Sequence, residues 1–219
     1  GSKLAYVSFE SRRSEIYIQN IASGERERIA GGDGINSSPA WSPDGRRLAV
    51  ALSRGGQTDV YVVDVASGDM RRLTDHHSID TEPTWAPDGR MIYFTSDRAG
   101  NPQIFRIGAN GGTPQRVTFD GSYNASPTIS PDGRRMAMVH RTDAGFRIAV
   151  KELNDNGSVR VISRGSQDES PSFAPNGAMV LYATRANGRA VLGTASLFGD
   201  ARQVMSTEGE RIREPAWSP

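Results

Sequence analysis

Two adjacent histidines and two nearby carboxylates are the side chains whose types and spacing come closest to a metal centre. They are His76, His77, Asp80 and Glu82. Imidazole nitrogens and carboxylate oxygens are zinc ligands. However, neighbouring side chains on one extended loop point apart, and the only other histidine in the sequence is His140. We therefore expect these residues to lie on a solvated loop rather than to bind zinc.

Side chains with an oxygen ligand recur every 44 residues and offer a second candidate cation site. They are Asn36, Asp80, Asn124 and Asp168. Carboxylate and amide oxygens suit calcium. If the repeats surround a channel, these oxygens would form a ring in it. The alternative is a channel filled with solvent.

Catalytic motifs are missing from the sequence. It contains no Gly-x-Ser-x-Gly elbow and no phosphate-binding loop. It also has no cysteine, which excludes thiol catalysis and disulfides. We expect no enzymatic activity, no cofactor and no resident metal.

Composition argues against two further classes of partner. The formal net charge of +1 provides no field that would attract nucleic acid. No apolar run approaches the roughly 18 residues of a membrane span, so we expect no direct membrane insertion. We predict neither nucleic-acid binding nor a membrane anchor.

A phrase of the type Pro-Ala-Trp-Ser-Pro-Asp-Gly recurs every 44 residues and sets the architecture. Its five copies start at Pro39, Pro83, Pro127, Pro171 and Pro215. The Ser-Pro-Asp-Gly part is typical of a type I turn. Four short strand patterns fill each period. A fixed period of this length with four strands predicts a β-propeller of four-stranded antiparallel blades.

The copies of the phrase also predict the blade boundaries within a single domain of residues 1–219. Four blades are expected at 37–75, 81–119, 125–163 and 169–206. The fifth combines residues 213–219 with 1–31, so that the C-terminal strand 213–219 pairs with strands in 3–29 and closes the ring. The phrase aromatics are assigned to packing between blades. They are Trp41, Trp85, Phe173 and Trp217.

The whole chain resembles the TolB propeller family. The resemblance rests on the phrase, on the segment Ser53 to Gly68, and on Phe94-Thr95-Ser96-Asp97-Arg98-Ala99-Gly100-Asn101-Pro102-Gln103. It implies a periplasmic protein of the Tol-Pal system whose propeller binds the lipoprotein Pal and helps to maintain the outer membrane. The family also has an N-terminal α/β domain, a segment that contacts TolA, and six blades. Because those N-terminal parts are absent here, TolA binding is not expected.

Function is expected in the variable loops, where the repeat is least regular. The family resemblance and the mixed polar and aromatic character of adjacent loops predict a Pal contact. Its residues are His76, His77, Asp80, Thr81, Glu82, Ser96, Arg98, Ser122, Tyr123 and Asn124. The alternative is an engineered or truncated five-bladed scaffold that retains no binding activity.

Overall fold

The computed structural model describes residues 1–154, 158–199, 201–205 and 214–217. Their strands build five antiparallel sheets, one for each 44-residue period. This confirms the predicted all-β fold of five blades. The described residues include no helix that could cross a membrane. The chain divides into two compact units, Gly1–Val117 and Thr118–Pro219, which are described separately.

Unit 1 contains three sheets, with strand orders β1-β2-β3, β4-β5-β6-β7 and β8-β9-β10-β11. Its strands are β1 (Lys3–Ser8), β2 (Glu15–Asn20), β3 (Arg26–Ala30), β4 (Asn36–Trp41), β5 (Arg47–Arg54), β6 (Gln57–Asp64), β7 (Met70–Arg72), β8 (Asp80–Trp85), β9 (Met91–Ser96), β10 (Gln103–Gly108) and β11 (Gln115–Arg116).

Unit 2 contains two sheets, with strand orders β12-β13-β14-β15 and β16-β17-β18-β19. Its strands are β12 (Asn124–Ile129), β13 (Arg135–Thr142), β14 (Gly145–Glu152), β15 (Arg160–Val161), β16 (Glu169–Phe173), β17 (Met179–Ala186), β18 (Arg189–Ser196) and β19 (Arg202–Met205).

The Ser-Pro-Asp-Gly turn has the geometry that its residues predict. The Ser42 hydroxyl donates to Oδ1 of Asp44 over 2.6 Å, and the backbone N–H of Gly45 donates to the Ser42 carbonyl over 2.9 Å. Gly45 adopts a φ of 69°, which glycine tolerates best. The Ser42 hydrogen bond, helped by the Arg46 backbone N–H, lowers the pKa of Asp44. The turn therefore fixes the hairpin between β4 and β5.

The first strand of each four-stranded sheet carries an irregularity that the sequence did not reveal. The residue before the phrase proline adopts a positive φ of 52–54°, although this left-handed conformation is uncommon for a residue other than glycine. The residues are Ser38, Glu82, Ser126 and Ser170, and the equivalent Glu214 shares the conformation. The pairing register shifts at these four strands. Each strand therefore contains a β-bulge that turns its first half relative to its second.

Within each unit the core lies between neighbouring sheets, and it includes three of the four phrase aromatics. In unit 1, Trp41 packs on the cluster around Leu48, and Trp85 packs on the cluster that includes Ala49. The indole N–H of Trp85 also donates to the carbonyl of Ala40 over 3.1 Å. In unit 2, buried Phe173 joins the cluster built on β13, β14, β17 and β18. These contacts confirm the packing role of Trp41, Trp85 and Phe173.

The predicted closure involves residues outside the described ranges, namely 213, 218 and 219. Residues 214–217 form no strand, and within the described ranges the sheet of β1 contains three strands. Trp217 is half-exposed, and its backbone N–H donates to the Ser172 hydroxyl over 3.3 Å. The pairing of 213–219 with residues 3–29, and the single domain 1–219, stay predictions.

Candidate functional site

The predicted contact residues are distributed over both units. Seven belong to unit 1 and are His76, His77, Asp80, Thr81, Glu82, Ser96 and Arg98. Three belong to unit 2 and are Ser122, Tyr123 and Asn124. Five of the first group lie in the segment from Asp75 to Glu82, which is called the docking loop below and comprises the end of the connection from β7 and the first three residues of β8.

The two histidines of the docking loop lie against each other. Their ring centroids are 4.1 Å apart with an interplanar angle of 31°. The Ser78 backbone N–H donates to Nδ1 of His76 over 3.2 Å, and the Ser78 hydroxyl lies 2.9 Å from the same nitrogen. Because Nδ1 is an acceptor, the other nitrogen, Nε2, carries the proton of a neutral His76 ring. His77 is exposed, so the pair presents imidazole to solvent.

The C-terminal part of the docking loop is fixed by a buried ion pair. Asp80 is fully buried, and its Oδ2 lies 2.6 Å from Nη2 of Arg98, whose side chain is 14% exposed. The Arg98 Nε–H also donates to Oγ of Ser96 over 2.8 Å, and its guanidinium lies over the rings of Phe94 and Phe105. Asp80, Ser96 and Arg98 therefore form a buried network that fixes the end of the docking loop.

Thr81 and Glu82 are half-buried at the bulge of β8. The Thr95 hydroxyl donates to Oε2 of Glu82 over 2.8 Å. This bond holds the Glu82 side chain against β9 while its backbone keeps the positive φ of 53°. One carboxylate oxygen of Glu82 therefore accepts a hydrogen bond within its own sheet.

Ile79 and Asp97 are two residues at the docking loop that the sequence analysis did not select. Ile79 is 56% exposed although it is a large aliphatic residue. Its backbone N–H donates to Oδ1 of Asp97 over 2.9 Å. The sequence did contain a signal for Ile79: Ile35 occupies the same position of the 44-residue repeat, directly before Asn36. The Asp97 contact had no such signal, because it joins residues 18 positions apart.

In unit 2, Tyr123 contributes to an aromatic pair at the edge of the core. Its ring lies 5.1 Å from that of Phe146 at an angle of 66°, an edge-to-face arrangement. Phe146 is partly exposed, Phe119 is largely exposed, and Ser122 is exposed. This loop region therefore presents aromatic surface to solvent.

Asn124 is buried and ties its loop to β13. Its Nδ2–H donates to the Asp120 carbonyl over 2.8 Å, and its Oδ1 lies 2.8 Å from Nδ1 of His140. Since Oδ1 is an acceptor, Nδ1 of His140 carries a proton. A Cβ at Gly121 would lie 2.5 Å from Cε1 of His140, so glycine allows the close approach of the loop. The role of Asn124 is to hold the loop rather than to contact solvent.

The four residues proposed as a cation ring are all fully buried, and their side chains bond to groups of their own unit. Asn36 donates to the carbonyls of Ser14, Gly32 and Gly34, and Asp168 accepts from Ser163, Gly165 and Thr184. Within unit 1, Oδ1 of Asn36 and Oδ1 of Asp80 have no hydrogen-bond partner in the described structure. The hydrogen bonds of Asn36 and Asp168 indicate that these side chains hold their loops in place rather than bind a cation. The described part of the chain contains no group of three or more His, Asp or Glu able to hold a metal.

The family assignment follows from a comparison with known domains. The family model for the TolB beta propeller domain matches residues 1–219. The chain belongs to the TolB β-propeller domain family. The crystal structure of TolB from Acinetobacter baumannii is 42% identical with a TM-score of 0.93, and the match covers 100% of this chain and 55% of that protein.

A curated TolB relative and a more distant structure complete the comparison. The Tol-Pal system protein TolB of Alcanivorax borkumensis is 56% identical over 57 residues, which are 26% of this chain and 13% of the relative. The tricorn protease shares 17% identity with a TM-score of 0.77, covering 99% of this chain and 22% of that protein, and shows likeness of fold alone. This TolB-family chain therefore spans only part of the length of its relatives.

The half-buried His140 of the TolB-family chain predicts a pH effect on stability. Burial lowers the pKa of His140 below its ordinary value of 6.5, against a smaller opposing effect of Asp120. The unfolded chain, with the ordinary pKa, then binds the proton first as the pH falls. Stability contributed by neutral His140 is present above that pKa and is lost as the pH falls through it toward the folded value.

The measurement is the free energy of unfolding in urea at about pH 7.5 and about pH 5.5. We expect the wild type to lose more stability between these conditions than His140→Gln, because the variant lacks the titrating ring. His76 and His77 are unchanged in both proteins, so their contribution cancels in the comparison. An equal loss in the two proteins would contradict the assignment to His140.

Proposed function

We propose that this chain is the Pal-docking propeller of a Tol-Pal system protein, and that it works in the periplasm, in support of the outer membrane. The observation that carries the proposal is the whole-chain match to TolB of A. baumannii, at 42% identity and a TM-score of 0.93. The name of the curated A. borkumensis relative refers to the same system. Pal is the partner that this system supplies.

The docking loop is the part of unit 1 best suited to a protein partner. It combines an exposed imidazole at His77, an exposed aliphatic side chain at Ile79, and a polar flank at Thr81. Protein interfaces combine apolar contacts with polar rims in this way. The buried Asp80–Arg98 pair gives the loop a fixed base, which limits the entropy lost on binding.

Binding rather than catalysis is the activity that the local geometry supports. A serine and a histidine do lie in contact, since Oγ of Ser78 is 2.9 Å from Nδ1 of His76. However, Ser78 is buried, and its own backbone N–H donates to the same nitrogen. A nucleophile needs an accessible hydroxyl and a base oriented by a third group. This contact shapes a turn, so we propose a non-enzymatic role.

A titration of isotope-labelled chain with the soluble domain of Pal tests the proposal. We expect the backbone amide signals of the docking loop to shift, while those of the turn at Ser42–Gly45 stay in place. The test variant is His77→Ala, which removes an exposed ring and should reduce the shifts without changing the fold. If no docking-loop amide moves at saturating Pal, the scaffold alternative, without binding activity, would be favoured instead.

A further inference from the structure

Ile79 is placed as a single exposed apolar side chain on an otherwise polar docking loop. It is 56% exposed, and its neighbours on either side, Ser78 and Asp80, are buried. Hot spots of interfaces are commonly large side chains that insert into a pocket of the partner, surrounded by groups that exclude water. The rings of His76 and His77, whose centroids are 4.1 Å apart, lie three and two positions before Ile79 in the same loop.

The position of Ile79 is fixed on both sides by side chains from the segment after β9. Its own backbone N–H donates to Oδ1 of Asp97 over 2.9 Å. The next residue, Asp80, is held by Arg98 over 2.6 Å. Asp97 is itself placed by a turn, because the Gly100 N–H donates to the Asp97 carbonyl over 2.8 Å. The carboxylate of Asp97 thus joins two neighbouring loops at the same end of the sheet.

The contact between Ile79 and Asp97 differs in kind from the ion pair below it. Asp97 is only partly buried, so its removal leaves no isolated charge in the core. What its removal takes away is the acceptor for one backbone N–H, and with it the constraint on the Ile79 backbone. Asparagine would restore an acceptor at the same atom, whereas alanine would not.

We propose that Ile79 is the apolar anchor of the docking surface and that Asp97 is a positioning residue that holds it in place. The inference rests on the proposed function in that Pal is the partner. It requires the partner to present an apolar pocket for a branched aliphatic side chain. Near the rim of that pocket, the partner must also present a hydrogen-bond acceptor for the ring Nε2–H of His76. Asp97 acts through the Ile79 backbone and needs no contact with the partner.

The experiment combines hydrogen exchange of the Ile79 amide with the Kd for the soluble domain of Pal. We expect Asp97→Ala to speed the exchange about tenfold or more and to weaken binding several-fold, because an ordered loop becomes mobile. Asp97→Asn should restore both values to within about twofold of the wild type. A merely structural role would lower Tm in Asp97→Ala and leave the Kd for Pal unchanged.

The anchor is tested by Ile79→Ala against a matched control. We expect about a tenfold or greater loss of affinity with an unchanged Tm, since the side chain is exposed. Ile21→Ala removes an equally exposed isoleucine from the turn between β2 and β3 and should leave the Kd unchanged. Equal affinities of Ile79→Ala and the wild type would overturn the anchor.

Failure of the proposed function and failure of this inference give different results. If wild-type chain does not bind Pal, the proposed function and the anchor role both fail. The exchange rate of the Ile79 amide still decides the role of Asp97 in that case. An unchanged rate in Asp97→Ala would overturn that role even if Pal binds tightly.

Discussion

Arg98→Met is expected to destabilise unit 1 by about 3–5 kcal/mol, because it leaves a buried charge without its partner. Asp80 is fully buried, and Arg98 is the counterion, at 2.6 Å. The other carboxylate oxygen of Asp80 has no hydrogen-bond partner in the described structure, so nothing there offsets the loss. Stacking of the guanidinium on Phe94 and Phe105 would be lost as well.

Chemical denaturation of three variants separates charge from packing at this site. Arg98→Met should show the full loss, and the double variant Arg98→Met, Asp80→Asn should recover a large part of it, because no charge is then buried. Arg90→Met replaces an exposed arginine of the same sheet and should change stability by less than about 0.5 kcal/mol. A similar, small effect of Arg98→Met and Arg90→Met would contradict the buried-pair account.

Gly193→Ala is expected to destabilise unit 2 by about 1–3 kcal/mol through overpacking. Gly193 pairs with Tyr182 across β17 and β18, and the tyrosine ring lies over the glycine. An added Cβ would lie 2.6 Å from two ring carbons and 2.9 Å from the hydroxyl oxygen. The ring is packed in the core and only 4% exposed, and burial raises the pKa of its phenol to about 12. It therefore has little room to move aside.

A second glycine of unit 2 provides the control for this prediction. A Cβ at Gly199 would meet nothing within 4 Å. Gly199→Ala should therefore leave Tm nearly unchanged, while Gly193→Ala should lower it. Equal Tm values for the two variants would show that the sheet adjusts around the added methyl group, and the proposed clash would be wrong.

The repeat architecture was predictable from sequence because its determinants are local. The Pro-Asp-Gly turn places hairpins such as the one at Ser42 and Gly45 through bonds over a few residues. Short apolar runs, such as Leu48 to Leu52 in β5, then place the inner strands. The strand bulges were not predictable, because residues such as Ser38 and Ser126 adopt a left-handed φ that neither serine nor a following proline favours. Pairing with the neighbouring strand overrides that local preference.

The location of the candidate site stays a prediction from sequence, and the structure shows which of its residues are buried and which are exposed. The sequence drew attention to the docking loop through His76 and His77, and in the structure His77 is exposed while His76 is half-buried. It also marked Asp80 and Arg98 as contacts, although the fold buries them as an ion pair. Whether a polar loop residue points outward or inward depends on long-range packing. For the same reason the sequence gives no signal for the hydrogen bond from the Ile79 backbone N–H to Asp97, which joins two different loops.

The most direct test of the central claim is calorimetric titration of the soluble domain of Pal into this chain and into its His76→Ala, His77→Ala double variant. The account predicts saturable binding at a ratio of about one to one for the wild type and at least about a tenfold weaker Kd for the double variant. Absence of binding heat at several temperatures for the wild type, or an identical Kd for the two proteins, would contradict it.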